Sequence, residues 1–229
     1  MRQRSAFYGA DLAWIHRSGY EPDARAWLSL LRRAGVRRGL VVDLGCGAGG
    51  WASALVRRGY GVWGVDRSRA MIAMARRRVP RGAFVRASIV EARLPACDAV
   101  TAIGEILNYL GGPAEVRRVF RSVRAALRPG GAFVFDVLLP QRDVRVNARV
   151  ERDWATISRN EDDGRRLVRD ITWFRREGRV WRRGREVHRQ RLYRASELAA
   201  WLRREGFAVR VTAGPWPRHA LLAAILPSR

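Results

Sequence analysis

The sequence contains no lysine. All 45 basic residues are arginine, against 21 aspartates and glutamates, a formal net charge of +24 over 229 residues. Exchanging Lys for Arg leaves charge unchanged, so the missing lysine does not account for the imbalance. A field this positive attracts nucleic acid, anionic surfaces or acidic substrates. Charge of this kind speaks to association, not to fold or chemistry.

Cysteine is almost absent. Cys46 and Cys97 offer neither metal-ligand spacing nor a disulfide framework, so no metal and a reduced cytoplasm are the expectation. No apolar run approaches the length of a membrane span. The opening MRQRSAFYGADLAWIH lacks the apolar core of a secretory signal. Internal repeats and low-complexity linkers are also missing. The 48% apolar content excludes a disordered chain, and 229 residues suit one large α/β domain, or one with a small insertion.

Apolar runs alternate with amphipathic stretches as far as Pro140. Strands are expected at LVVDL, GVWGVD, AFVRAS, CDAVTAI and the AFVFDV of RPGGAFVFDV. Helices are expected over 23–33, 49–58, 68–78 and 113–127, with Ser68 as a cap and Gly59 as a stop. Such alternation implies a doubly wound parallel sheet. After Pro140 the pattern changes. DWATISRN, RRLVRDITWF and RVWRRGREVHRQRLY read as three antiparallel strands, turning at Asp162-Asp163-Gly164 and Glu177-Gly178. A helix capped by Ser196 and strands FAVRVT and ALLAAIL close the chain. The expected division is an N-terminal helical lid (1–38), a core (39–140), an antiparallel insertion serving as acceptor lid or dimer contact (141–194), and a helix with two strands completing the core (195–229).

VVDLGCGAGG, residues 41–50, fits G-x-G-x-x-G through Gly45, Gly47 and Gly50. A dinucleotide pyrophosphate is nevertheless a poor guest. Asp43, two residues before Gly45, would repel phosphate oxygens. It suits a ligand with a positive group near the turn, such as the ammonium and sulfonium of S-adenosylmethionine. The glycines allow close backbone approach and a sharp turn into the helix. Asp66 ends the next strand roughly 20 residues on, the spacing that binds a ribose diol. NAD also uses such an acid, so the discriminating signal is D-x-G-x-G-x-G, carried by Asp43, Gly45, Gly47 and Gly49.

With these motifs, GVWGVDRSRAMIAMAR and LRPGGAFVFDV, the chain resembles the class I S-adenosylmethionine-dependent methyltransferases, and in particular small free-standing bacterial enzymes of the methyltransferase-25 type. The resemblance spans roughly residues 6–226 and is specific for cofactor and fold, not for acceptor. It implies a Rossmann-like, mostly parallel sheet with an antiparallel insertion before the last helix. It places the methionine end of the cofactor against Asp43, Gly45, Cys46, Gly47 and Gly49. The ribose falls to Asp66, with Arg67 and Met71 beside the adenosine, and the adenine to Ser88 and Ile89. Many relatives carry an acid near Ser88, so the adenine amino contact is weaker here or comes from backbone. Gly104 and Glu105 fall next to the sulfonium, and Tyr8 and Trp14 match an aromatic segment that lids the cofactor.

Glu105 is also a candidate to orient an acceptor or take its proton, because ligands bind open α/β sheets at the carboxyl ends of strands. His16 is a candidate base, and His188 is a similar one. His188 shares a strand face with Glu186 and Gln190, which either lines an acceptor pocket or forms the wet side of the sheet; the wet side is the expectation. His219 reads as a loop residue. The opposite face, Trp181, Arg183, Arg185, Val187, Arg189, Arg191 and Tyr193, could grip phosphates and stack on bases, but reads as ordinary surface. An adenine-amino signature after the fourth strand is missing, since that position reads IGEILNY. Neither cysteine is placed as a nucleophile. The expectation is therefore methyl transfer to a small-molecule acceptor, with specialised metabolism as a setting. An RNA methyltransferase using the Arg-rich insertion and a non-catalytic binding protein are the alternatives, and a homodimer through the insertion is a further expectation.

Overall fold

The computed structural model describes residues 8–20, 23–214 and 216–228. Helix α1 (Ala10–Gly19) and helix α2 (Ala24–Arg33) precede the alternation. Asp23 caps α2, its side chain accepting from the Arg25 N–H at 2.9 Å. Then follow β1 (Leu40–Leu44), α3 (Gly50–Val56), β2 (Gly61–Asp66), α4 (Arg69–Arg78), β3 (Ala83–Arg86) and β4 (Cys97–Ala102). A short 3-10 turn (Ile106–Tyr109), α5 (Pro113–Ala126) and β5 (Leu127–Leu138) complete the parallel half. Strands β6 (Arg142–Val150), β7 (Trp154–Asp163), β8 (Arg166–Glu177) and β9 (Val180–Arg191) come next, and α6 (Ala195–Arg204), β10 (Ala208–Ala213) and β11 (His219–Ile225) end the chain.

The main sheet has seven strands in the order β10-β11-β5-β4-β1-β2-β3. Strands β1 to β5 are parallel, and β11 returns antiparallel to β5. Strand order reverses beside β1 and β4, which opens a crevice at their carboxyl ends, where ligands bind such sheets. Trp27, Leu31, Leu55 and Ile72, from α2, α3 and α4, cover one face. Phe120, Val123, Leu198 and Leu202, from α5 and α6, cover the other. This burial on both faces is why the parallel strands read as unbroken apolar runs.

The second sheet is a four-stranded antiparallel meander, β6-β7-β8-β9. Sequence reasoning expects three strands here; β6 is the additional one. Its Val144, Val146 and Val150 alternate with polar residues, but they are exposed on an edge strand. The sheet's inner face packs on α1 through Leu12, Ile15, Trp154, Ile171 and Trp173. Each fully buried apolar side chain of this size contributes about 1.5–3 kcal/mol before entropy, so α1 belongs to this sheet as much as to the core. Two local expectations are corrected. Ser196 lies inside the first turn of α6, which begins after Arg194, and the fifth strand extends back to Leu127, where it meets Cys97 of β4.

No helix among the described residues is long and apolar enough to cross a membrane.

Candidate active site

Asp43 sits at the end of β1, 2% exposed, and accepts a hydrogen bond from the Thr101 hydroxyl at 2.9 Å. Thr101 is oriented in turn by the Trp51 indole N–H at 3.1 Å. No cationic side chain pairs with Asp43 among the described residues. Burial pushes its carboxyl up to about 7 against the Thr101 hydrogen bond. A buried acid without a cation is costly to ionise, and a cationic guest would relieve that cost.

The turn after β1 is built by glycines at positive φ, 71° at Gly45, 51° at Gly47 and 77° at Gly49. The Gly45 and Cys46 N–H groups donate to the Val65 carbonyl at 2.7 and 3.0 Å, tying the turn to β2. A Cβ at Gly45 would meet the Ile106 side chain at 2.4 Å. Asp66 ends β2, its two oxygens accepting from the Gly47 N–H at 3.1 Å and the Ser68 N–H at 2.8 Å. Burial raises its carboxyl despite those bonds.

Across the crevice, β4 runs into Gly104 and Glu105, both left-handed with φ of 93° and 61°. Asp136, fully buried in β5, accepts from the Gly104 N–H at 2.7 Å and from the Glu105 N–H at 3.3 Å. Burial pushes Asp136 up to about 6. The Glu105 carboxylate is held by three side chains from three strands. His219 Nε2 of β11 donates at 2.8 Å, Gln190 Nε2 of β9 donates at 2.6 Å, and the Arg169 guanidinium of β8 lies at 3.5 Å. Burial alone would raise Glu105, but His219, Arg169 and Gln190 together hold it down at about 2.

These groups surround one cavity of about 570 Å³, a size usual for small-molecule sites. Of the residues singled out in the sequence, Tyr8, Asp43, Gly45, Cys46, Gly47, Asp66, Arg67, Met71, Ser88, Ile89, Gly104, Glu105 and His16 all line it. Three expected residues do not. Trp14 faces away, its ring under the Arg175 guanidinium at 4.4 Å. Gly49 leads into α3, and a Cβ there would meet the Ala75 Cα of α4 at 3.2 Å, so its glycine serves close helix packing. His188 lies behind the wall, 2% exposed, bonded to Glu186 at 3.1 Å with its ring 4.9 Å from that of Tyr8.

The wet-side expectation for the His188 face is overturned. Glu186, His188 and Gln190 are all buried, since this face meets α1 and the 3-10 turn. The outward face carries exposed Arg183, Arg185 and Arg189, and Arg185 pairs with Asp170. His219 is likewise no loop residue: it opens β11 and reaches Glu105 across 114 positions of sequence. Neither Asp136 nor Arg169 stands out by sequence motif. Asp136 leaves a trace, as the one acid inside the apolar run FVFDV. Both cysteines are buried, and burial pushes the Cys97 thiol up to about 12, far from a nucleophile's range. Among the described residues, no group of three or more His, Cys, Asp or Glu side chains could hold a metal ion.

Residues 41–131 match the family model described as a methyltransferase domain. The putative methyltransferase YqeM of Bacillus subtilis is 28% identical over 204 residues, which cover 82% of this chain and 81% of the relative. Among solved structures, an S-adenosylmethionine-dependent methyltransferase from Clostridium acetobutylicum superposes with a TM-score of 0.82 at 17% identity, covering 95% of this chain and 98% of that one. The S-adenosylmethionine-bound amino pentose methyltransferase CalS10 from Micromonospora echinaspora gives 0.80 at 23% identity, covering 96% and 98%. The chain thus carries a methyltransferase domain and has the fold of the S-adenosylmethionine-dependent methyltransferases.

Proposed function

We propose that the enzyme methylates a small molecule, with an amine as the accepting group, in the cavity between the glycine turn, α1 and the inner face of the four-stranded sheet. The observation that carries this reading is the single cavity of about 570 Å³ running from Asp43 and Asp66 to a rim of His16, Tyr20 and Trp216. It is large enough for a cofactor and a small acceptor and is walled on the acceptor side by aromatic rings. The outward arginines of β9 stand on the opposite face of the sheet from this space, so they do not line the acceptor's path to it. The name of CalS10, an amino pentose methyltransferase, is consistent with an amine acceptor.

In this reading Asp43 and the turn from Gly45 to Gly47 receive the methionine end. Asp66 takes the ribose hydroxyls, Arg67 and Met71 flank the adenosine, Ser88 and Ile89 meet the adenine, and Gly104 borders the sulfur. The residues fit such a guest: Asp43 is a buried carboxylate without a cation, and at Gly47 nothing lies nearer than the Met71 sulfur, 4.0 Å from where a Cβ would stand, so a ligand can approach the backbone there. Bound S-adenosylmethionine supplies a methyl group already activated on sulfonium. The protein's part is alignment and exclusion of water, catalysis by proximity and orientation. Glu105, held as an anion at about 2, is too weak a base to take a hydroxyl proton at neutral pH. A neutral amine needs no such base before attack. His16, stacked 5.7 Å from the Tyr20 ring at the rim, is placed to accept the proton that the methylated amine releases. The exposed valines on the open β6 edge support a homodimer through the second sheet.

The test is transfer of labelled methyl from S-adenosylmethionine to a panel of small amines, phenols and carboxylic acids, with total RNA as a parallel acceptor. Label on an amine is the expected result. Label on RNA alone would overturn the reading.

A further inference from the structure

Glu105 has a backbone conformation that non-glycine residues rarely adopt, φ 61°. A conformation of this kind is strained and persists only where the surroundings over-determine it. Here they do so from two sides. Asp136 fixes the Gly104 and Glu105 N–H groups from below. His219, Gln190 and Arg169 fix the side chain from above. The next residue, Ile106, fills the space over Gly45 where a Cβ would stand. The posture of Glu105 therefore sets how this loop presses on the glycine turn.

His219 is the member of this set that can change state. Both its ring nitrogens face acceptors: Nδ1 the Pro217 carbonyl at 3.0 Å and Nε2 the Glu105 carboxylate at 2.8 Å. A neutral imidazole has one N–H and can satisfy only one of them, whereas the imidazolium satisfies both.

We propose that His219 is a positioning residue: acting through Glu105, it holds the Gly104–Ile106 loop against the glycine turn that receives the methyl donor. The proposal rests on the reading of the cavity given above. His219 itself need not touch the donor.

The charged and titratable groups around the pair come from every packed element. They are Asp136 of β5, Arg169 of β8, Tyr8 before α1 and Tyr109 of the 3-10 turn. Neighbouring Arg218 is held by Asp143 and Asp162. Burial works against charge on His219, but Glu105, the Pro217 carbonyl and Asp136 raise its pKa above the usual imidazole value. The clamp is then complete below that raised value and is lost as pH climbs through it.

The experiment is calorimetric titration of the full chain with S-adenosylhomocysteine from pH 6 to pH 10, on the wild type, His219→Gln and His219→Phe. Glutamine can still donate to Glu105 but does not titrate. The ratio of wild-type to His219→Gln affinity cancels the ligand's own titration. The expected ratio is near one at low pH and falls several-fold on the alkaline side, while His219→Phe is weakened about tenfold at low pH, the loss of one charge-assisted hydrogen bond, with the gap to wild type narrowing as pH rises. A ratio independent of pH would overturn the proposal, and so would wild-type affinity in a folded His219→Phe. Should His219→Phe not fold, the pH dependence of the ratio decides alone. No binding by the wild type would instead remove the reading of the cavity, and this proposal with it.

Discussion

Glu186 of β9 accepts hydrogen bonds from the backbone N–H groups of Tyr8 and Gly9 at 2.8 and 3.0 Å. Gly9 is the N-cap of α1 and has no side chain to cap it. A carboxylate from the second sheet thus satisfies donors that the start of the helix leaves open, where the helix dipole also favours negative charge. The same residue orients His188, and Asp11 in the first turn of α1 pairs with Arg175 and Arg182. The helix over the cavity is fastened to β8 and β9 by polar bonds as well as by its apolar face.

Glu186→Ala should therefore loosen α1 without unfolding the main sheet. Leaving two part-buried N–H groups without an acceptor costs up to about 1–3 kcal/mol each. The expected outcome in stopped-flow displacement is faster release of S-adenosylhomocysteine, with far-ultraviolet circular dichroism nearly unchanged. Release at the wild-type rate would mean that α1 does not cover the ligand.

Asp43→Asn should separate stability from binding. The folded protein holds Asp43 at about 7, whereas an unfolded aspartate titrates near 3.9. Between those values the unfolded chain releases a proton that the folded one keeps, so this group's contribution to stability falls as pH rises. Asparagine removes that cost and can still accept the Thr101 hydrogen bond. The ligand-free variant should melt a few degrees higher at pH 8 and bind S-adenosylmethionine at least about tenfold more weakly. Differential scanning calorimetry and titration check the two halves.

The same group gives a pH dependence for the wild type. A cationic methionine end requires ionised Asp43. Below pH 7, affinity for S-adenosylmethionine should fall, by at most about tenfold per pH unit, and in Asp43→Asn this acid limb should flatten. An unchanged limb in the variant would assign the titration to another group.

Gly45→Ala places a methyl group where the Ile106 side chain already lies, in a backbone conformation of φ 71° that favours glycine. Loss of S-adenosylhomocysteine binding by about tenfold or more is expected from the shift of the turn. Gly35→Ala, at φ 90° but with nothing near its Cβ, is the control: it carries backbone strain without the clash and should bind normally.

Much of the parallel half was legible because burial on both faces leaves unbroken apolar strands, and because glycine, Asp43 and Asp66 sit at fixed offsets within a few dozen residues. The second sheet was harder. Alternation in REVHRQR tells that Glu186, His188 and Gln190 share a face, but not which side a helix will cover. Strand β6 is not legible although Val144, Val146 and Val150 alternate, since its apolar side faces outward and the residues alternating with them are polar or charged. His219 follows the prolines of GPWPRH, which read locally as loop, while its partner Glu105 lies 114 residues away. Contacts across that range of sequence leave no spacing to read.

The most direct test of the site is calorimetric titration of nuclease-treated protein with S-adenosylhomocysteine, for the wild type and Asp66→Ala together. One-to-one binding by the wild type, weakened about 10- to 100-fold in the variant by loss of a charged partner for the ribose hydroxyls, is the predicted result. Equal affinity in the two would contradict the placement of the ribose at Asp66, and no binding by the wild type would contradict the cavity as the cofactor site.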